Sequence, residues 1–77
     1  MVQRGTPVPP SQQLAALLRD RIESGELTPG SALPSITRLA QEYDLATVTV
    51  RKALQILKDE GLIVGVPGYG TFVRERD

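Results

Sequence analysis

The stretch LATVTVRKALQILKDEG, Leu45 to Gly61, begins with one structural signal and finishes with another. Thr47, Val48, Thr49 and Val50 are consecutive β-branched residues. Branching at Cβ restricts χ1 in a helix, so these residues alone read as a strand. Val50, Ala53, Leu54 and Leu57 then recur at helical spacing, and Gly61 stands where a glycine commonly ends a helix. The periodic part prevails, and a helix is predicted from about Thr47 to Glu60. Its weak first turn needs a reason other than helix propensity.

Working outward, Asp44-Leu45-Ala46 is too short for anything but a tight corner. Before it, Ile36, Leu39, Ala40 and Tyr43 form a short helical stripe with Ser35 as its N-cap. Two helices joined by so short a turn form a helix-turn-helix. Further upstream, Thr28-Pro29-Gly30 carries Pro and Gly at the central positions of a type II turn. Leu14, Leu17, Leu18 and Ile22 make the apolar face of another helix, with Ser11 as the expected N-cap behind Pro9 and Pro10 and Gly25 as its stop. Downstream of Gly61, LIVGV and GTFVR are short β-prone runs on either side of PGYG, the pattern of a hairpin. The predicted class is α+β: three helices followed by a two-stranded β-hairpin wing, a winged helix-turn-helix. Residues 1–10 read as a flexible arm, 11–74 as the domain, and 75–77 as its C-terminal end or the start of a linker.

A chain of 77 residues supports one small core. Nine Lys or Arg balance nine Asp or Glu, so any electrostatic footprint must come from distribution and not from the total. Cysteine and histidine are both absent, which removes disulfides, thiolate chemistry, the commonest general base and the commonest zinc ligands. No cofactor or metal is expected, nor an enzyme. No apolar run is long enough to span a membrane, and the N-terminus lacks a secretory h-region, so a cytoplasmic location is expected.

GELTPGSALPS (25–35), TVRKALQILKDEGLI (49–63) and GYGTFV (68–73) together resemble the GntR family of bacterial transcription regulators, in the family's order and spacing. The TVRKAL wording is more similar to the HutC-like branch than to the branch reading PVREAL. The resemblance implies a dimeric binder of double-stranded operator DNA, with the third helix in the major groove and the wing at the adjacent minor groove. It also implies an effector ligand only through a C-terminal domain outside this chain. The family commonly reads Pro-Ser-Glu-Arg where this chain has Pro34-Ser35-Ile36-Thr37, and Ser-Arg where it has Ala46-Thr47. Arg is frequent where this chain has Val66. Cations supplied there by relatives are thus Thr37, Thr47 and Val66 here.

The first turn of a recognition helix faces base edges, which accounts for Thr47, Val48 and Thr49. Short side chains with fixed rotamers serve there: a hydroxyl caps the helix or bonds a phosphate, and a methyl packs on the C5-methyl of thymine. Thr47 and Thr49 each have capping as the alternative. Arg51 suits bidentate pairing with guanine. Lys52 suits a phosphate, and the alternative for both is a solvated face. Arg38 either reaches the DNA backbone or pairs with Glu42 at i+4. In the wing, Gly68 and Gly70 permit φ > 0 around an exposed Tyr69, with Thr71 beside them, and all four are candidate DNA contacts. Phe72 and Val66 are expected to anchor the wing or face the core. Arg38, Arg51, Lys52 and Lys58 outnumber Glu42 and Asp44 between them, a mild local excess of positive charge. With so few cations a single module holds an operator weakly, so the expected site is a pseudo-palindrome read by two chains, monomeric when free. The competing reading is a winged helix used for protein–protein contact, with weak or no DNA binding.

Overall fold

The computed structural model describes residue 5 and residues 7–75. The element order is α1 (Pro10–Glu23), α2 (Ile36–Tyr43), α3 (Thr47–Asp59), β1 (Ile63–Val66) and β2 (Gly70–Val73). Half of the expected N-terminal arm, and the last two residues, lie outside the described part.

Helix α1 does not start at Ser11. Pro9 is its N-cap and Pro10 its first residue, with no side-chain cap. Proline at the first position has φ already set, and its missing N–H is one the first turn has no use for. The N–H groups of Gln12 and Gln13 donate to the Pro9 carbonyl at 3.0 and 3.1 Å. The buried face is Leu14, Ala15, Leu18 and Ile22. Ala15 takes the inward place expected of Leu17, which is half-buried. The Thr28–Ser31 turn is as expected: Ser31 N–H donates to Thr28 O at 3.0 Å, with Gly30 at φ 82°.

Helix α2 is capped by Ser35, whose hydroxyl oxygen accepts from the Arg38 N–H at 3.2 Å. The helix ends with Asp44 in the left-handed region at φ 54° and ψ 52°, while Leu45 N–H donates back to Ala40 O at 2.9 Å. Aspartate is among the few residues with a side chain that visit this region routinely. The reversal directs the chain straight into α3. There the N-cap is Ala46, with no side-chain hydrogen bond, so the capping alternative for Thr47 and Thr49 is not realised. At the far end Gly61 has φ 77° and Leu62 N–H donates to Leu57 O at 3.0 Å, the same termination device with glycine in the left-handed place.

Leu14 and Leu18 of α1, Leu39 of α2, Val50 and Leu57 of α3, and Ile63 of β1 are the largest side chains wholly removed from water. They make one core beneath the helix-turn-helix. In the hairpin, Ile63 pairs with Val73, Val64 with Phe72, Gly65 with Thr71 and Val66 with Gly70. Tyr69 N–H donates to Val66 O at 2.9 Å across a turn whose third residue, Gly68, has φ 81°. That left-handed φ after a proline is what a type II turn requires. Val66 is 39% exposed and does not face the core. Its strand has only Ile63 buried, because it forms the outer edge of the wing. The inner edge holds a pairing not expected from sequence. Ala32 bridges Phe72, Leu33 N–H donates to Thr71 O at 2.8 Å, and Val73 N–H donates to Ser31 O at 2.9 Å. The loop after α1 thereby clamps β2 from the other side and fixes the wing relative to the helices.

Candidate nucleic-acid interface

The first turn of α3 presents Thr47 and Val48 outward, with Val48 54% exposed, while Thr49 is half-buried and Val50 is in the core. The four β-branched residues thus divide into two that face solvent, one at the boundary and one that packs. Arg51 and Lys52 are exposed on the next turn. On α2, Ser35, Thr37 and Arg38 are exposed and line one shallow depression together with Gln41 and Glu42. The Ser35 hydroxyl oxygen is already engaged as the cap acceptor, which leaves its O–H to donate elsewhere. In the wing, Gly68, Tyr69 and Gly70 are exposed, with Tyr69 at 81%. Thr71 is half-buried, and its carbonyl is used by Leu33. Val64 and Val66, both exposed, lie on the same strand edge.

The charges are sorted between faces. Arg19 of α1 makes a two-point pair with Glu60, Nε and Nη2 donating to the two carboxylate oxygens at 2.8 and 2.7 Å. The hydrogen bonds from Arg19 hold the Glu60 carboxyl below its ordinary value and raise the pKa of Arg19 in return. Arg21 bonds Glu26, lies 3.5 Å from Glu42, and donates to the Tyr43 hydroxyl at 3.3 Å. Glu42 is therefore drawn to Arg21 from another helix, and the i+4 pairing that was the alternative reading of Arg38 is not formed. Among the described residues, every ion pair belongs to Arg19 or Arg21. Arg38, Arg51 and Lys52 keep uncompensated charge.

The outward face of α3 extends past the residues named from sequence. Gln55 Nε2 donates to Asp59 Oδ1 at 2.9 Å, an i+4 pair that the spacing signals. Lys58 stands beside them, exposed.

A helix-turn-helix braced by a wing, with unpaired cations on the exposed side of its second helix, defines the winged helix-turn-helix class of DNA-binding domain. The chain belongs to the gntR family of bacterial regulatory proteins, whose family model matches residues 10–73. It is 41% identical over 64 residues to the mannosyl-D-glycerate transport/metabolism system repressor MngR of Escherichia coli (strain K12), covering 83% of this chain and 27% of that protein. It is 35% identical over 72 residues to the histidine utilization repressor of Klebsiella aerogenes, covering 94% of this chain and 30% of the relative. The chain thus spans under a third of the length of these curated relatives. Among solved structures, the AraR DNA-binding domain in complex with operator ORX1 superposes with a TM-score of 0.87 at 29% identity, covering 95% of this chain and 92% of that one. Among the described residues no helix is long and apolar enough to cross a membrane.

Proposed function

We propose that this chain is the sequence-specific operator-binding module of a cytoplasmic bacterial transcription regulator, a repressor, with no catalytic activity of its own. Helix α3 enters the major groove of double-stranded DNA, and the wing 62–74 lies at the adjacent minor groove. The observation that carries this reading is the segregation of charge. Carboxylates neutralise the cations of α1, while Arg38, Arg51 and Lys52 on the helix-turn-helix join no ion pair among the described residues. On a chain of zero net charge, that arrangement leaves one face suited to phosphate.

In this reading Arg51 pairs with guanine, and Lys52 and Arg38 contact phosphates. Thr47, Val48 and Thr49 meet base edges or the adjoining backbone. Ser35 and Thr37 donate hydroxyls to phosphate, and Gly68, Tyr69, Gly70 and Thr71 form the contact surface of the wing. One module of this size buries only about 600–1,000 Å² on DNA. A pseudo-palindromic operator read by two chains follows from the small number of cations, with any effector acting through a further domain.

Selection of bound duplexes from a random pool, followed by a salt titration of the selected site, tests this. With about three phosphate contacts per subunit, log K should fall with log salt at a slope near −5 for the pair. A full site should bind more tightly than a half-site. No enriched sequence and a slope near zero would favour the protein-contact reading.

A further inference from the structure

Lys58 lies in the last turn of α3, and its side chain crosses toward the wing. A Cβ added at Gly65 would come within 3.3 Å of the Lys58 Nζ and 3.5 Å of its Cε. The end of the lysine therefore lies close to the backbone of β1 at Gly65, where a larger side chain would push it aside. The carboxylates nearest to it in sequence are engaged elsewhere: Asp59 accepts from Gln55, and Glu60 is held by Arg19. Lys58 joins no ion pair among the described residues.

We infer that Lys58 is a further DNA-contacting residue, positioned by Gly65, that binds the sugar-phosphate strand passing between the recognition helix and the wing. The inference rests on the proposed groove assignment. A helix in the major groove and a wing in the adjacent minor groove must straddle the strand that separates those grooves. An ammonium held in the notch between them faces that strand. Lys58 returns to nearly the face of Arg51 two turns later, about 10 Å along the axis. Base edges are met by the N-terminal residues of a recognition helix, so a cation two turns further on is suited to phosphate and not to bases.

Two structural roles compete. A cation in the last turn complements the helix dipole, and a lysine over an edge strand discourages strand pairing. Neither role changes the salt dependence of DNA binding, so salt dependence is the discriminating readout. Lys58→Met keeps the stem and removes the charge, and Gly65→Val crowds the end of the Lys58 side chain.

On the selected duplex, Lys58→Met should reduce the steepness of the salt slope by about 0.9 for each subunit bound. That corresponds to a loss of about eightfold per subunit in 0.1 M salt, with base preference unchanged. Gly65→Val should produce much of the same loss, and the double variant should lose little more than Lys58→Met alone. Melting of each free variant separates these effects from unfolding. An unchanged slope in Lys58→Met, with parental binding intact, overturns the inference and leaves the proposed function standing. Additive losses in the double variant overturn the positioning by Gly65. Absence of duplex binding by the parent chain overturns both.

Discussion

The side of α1 and the face of α2 and α3 carry arginines in different circumstances. Arg19 and Arg21 are each met by a carboxylate across a helix or loop boundary. Arg38 and Arg51 are met by none among the described residues. The α1 side is a region whose interactions close on themselves: apolar side chains into the core, guanidinium onto carboxylate. The other face is left open, with exposed Val48 and Tyr69 and uncompensated cations. The difference teaches that net charge is a poor guide in a small domain. Glu26, Glu42 and Glu60 are taken up by Arg19 and Arg21 of α1, so a net charge of zero coexists with cations on α2 and α3 that join no ion pair among the described residues.

The comparison breaks most readily in the core that α1 shares with α3. Leu18 is fully buried, and Leu18→Ala should cost about 2–5 kcal/mol in a urea melt. Total stability in a domain this small is of similar size, so the variant should be substantially unfolded at room temperature. A near-parental melt would mean that α1 does not hold the fold together. On the open face the expected effects move from stability to affinity. Arg51→Ala should weaken binding by about 1–3 kcal/mol and relax preference at one base pair. Lys52→Ala should weaken all sequences about equally. Both should melt within about 0.5 kcal/mol of the parent. Uniform weakening by Arg51→Ala would make Arg51 a phosphate contact instead.

Two hydroxyls that look alike in sequence sharpen the comparison further. Ser35 caps α2 through the Arg38 N–H, whereas Thr47 follows an N-cap that is Ala46 and makes no cap bond. Ser35→Ala should therefore cost about 1 kcal/mol of folding stability. Thr47→Ala should cost none in a denaturant melt, its effect appearing only in DNA affinity. Equal destabilisation by the two would show that Thr47 serves the helix after all.

The elements legible in the sequence were those with local causes. Leu14, Leu18 and Ile22 fix α1 by spacing, Ser35 fixes the start of α2, and Gly61 fixes the end of α3. Features set by chain segments distant in sequence were not legible. Ala32 gives no strand signal, yet it pairs with Phe72 because the loop after α1 is brought alongside β2. Glu42 lies at the right spacing for Arg38 but is captured by Arg21, more than a helix away. Ser11 lost the cap to a proline pair whose local geometry already suits a helix start. The outward turn of Val66 depended on which edge of the hairpin was covered. For the candidate site, the first turn of α3 was singled out because its residue types contradict helix propensity, and the structure exposes Thr47 and Val48 there. The approach of Lys58 to Gly65 was not legible, because it is a tertiary contact.

The smallest expected effect belongs to the pair of Arg19 and Glu60, and its sign follows from the carboxylate. The hydrogen bonds from Arg19 lower the folded-state pKa of Glu60 below its unfolded value. A carboxyl depressed in this way stabilises the fold fully above its unfolded pKa, and the contribution is lost as pH falls through the folded pKa. The pair is substantially exposed, with side chains 33% and 39% accessible, so solvent and salt screen it and the effect is slight. Glu60→Gln should lower the melting temperature a little at pH 7 and not at all once the parent carboxyl is protonated. The two melting curves should therefore converge on acidification. Raising the salt at pH 7 should narrow the same gap while weakening DNA binding of both proteins equally, because Glu60 takes no part in the open face. Persistence of the gap at low pH would assign the loss to packing of the Glu60 stem instead of its charge. A change in the salt slope of DNA binding would show that the two faces are electrostatically coupled and not separate.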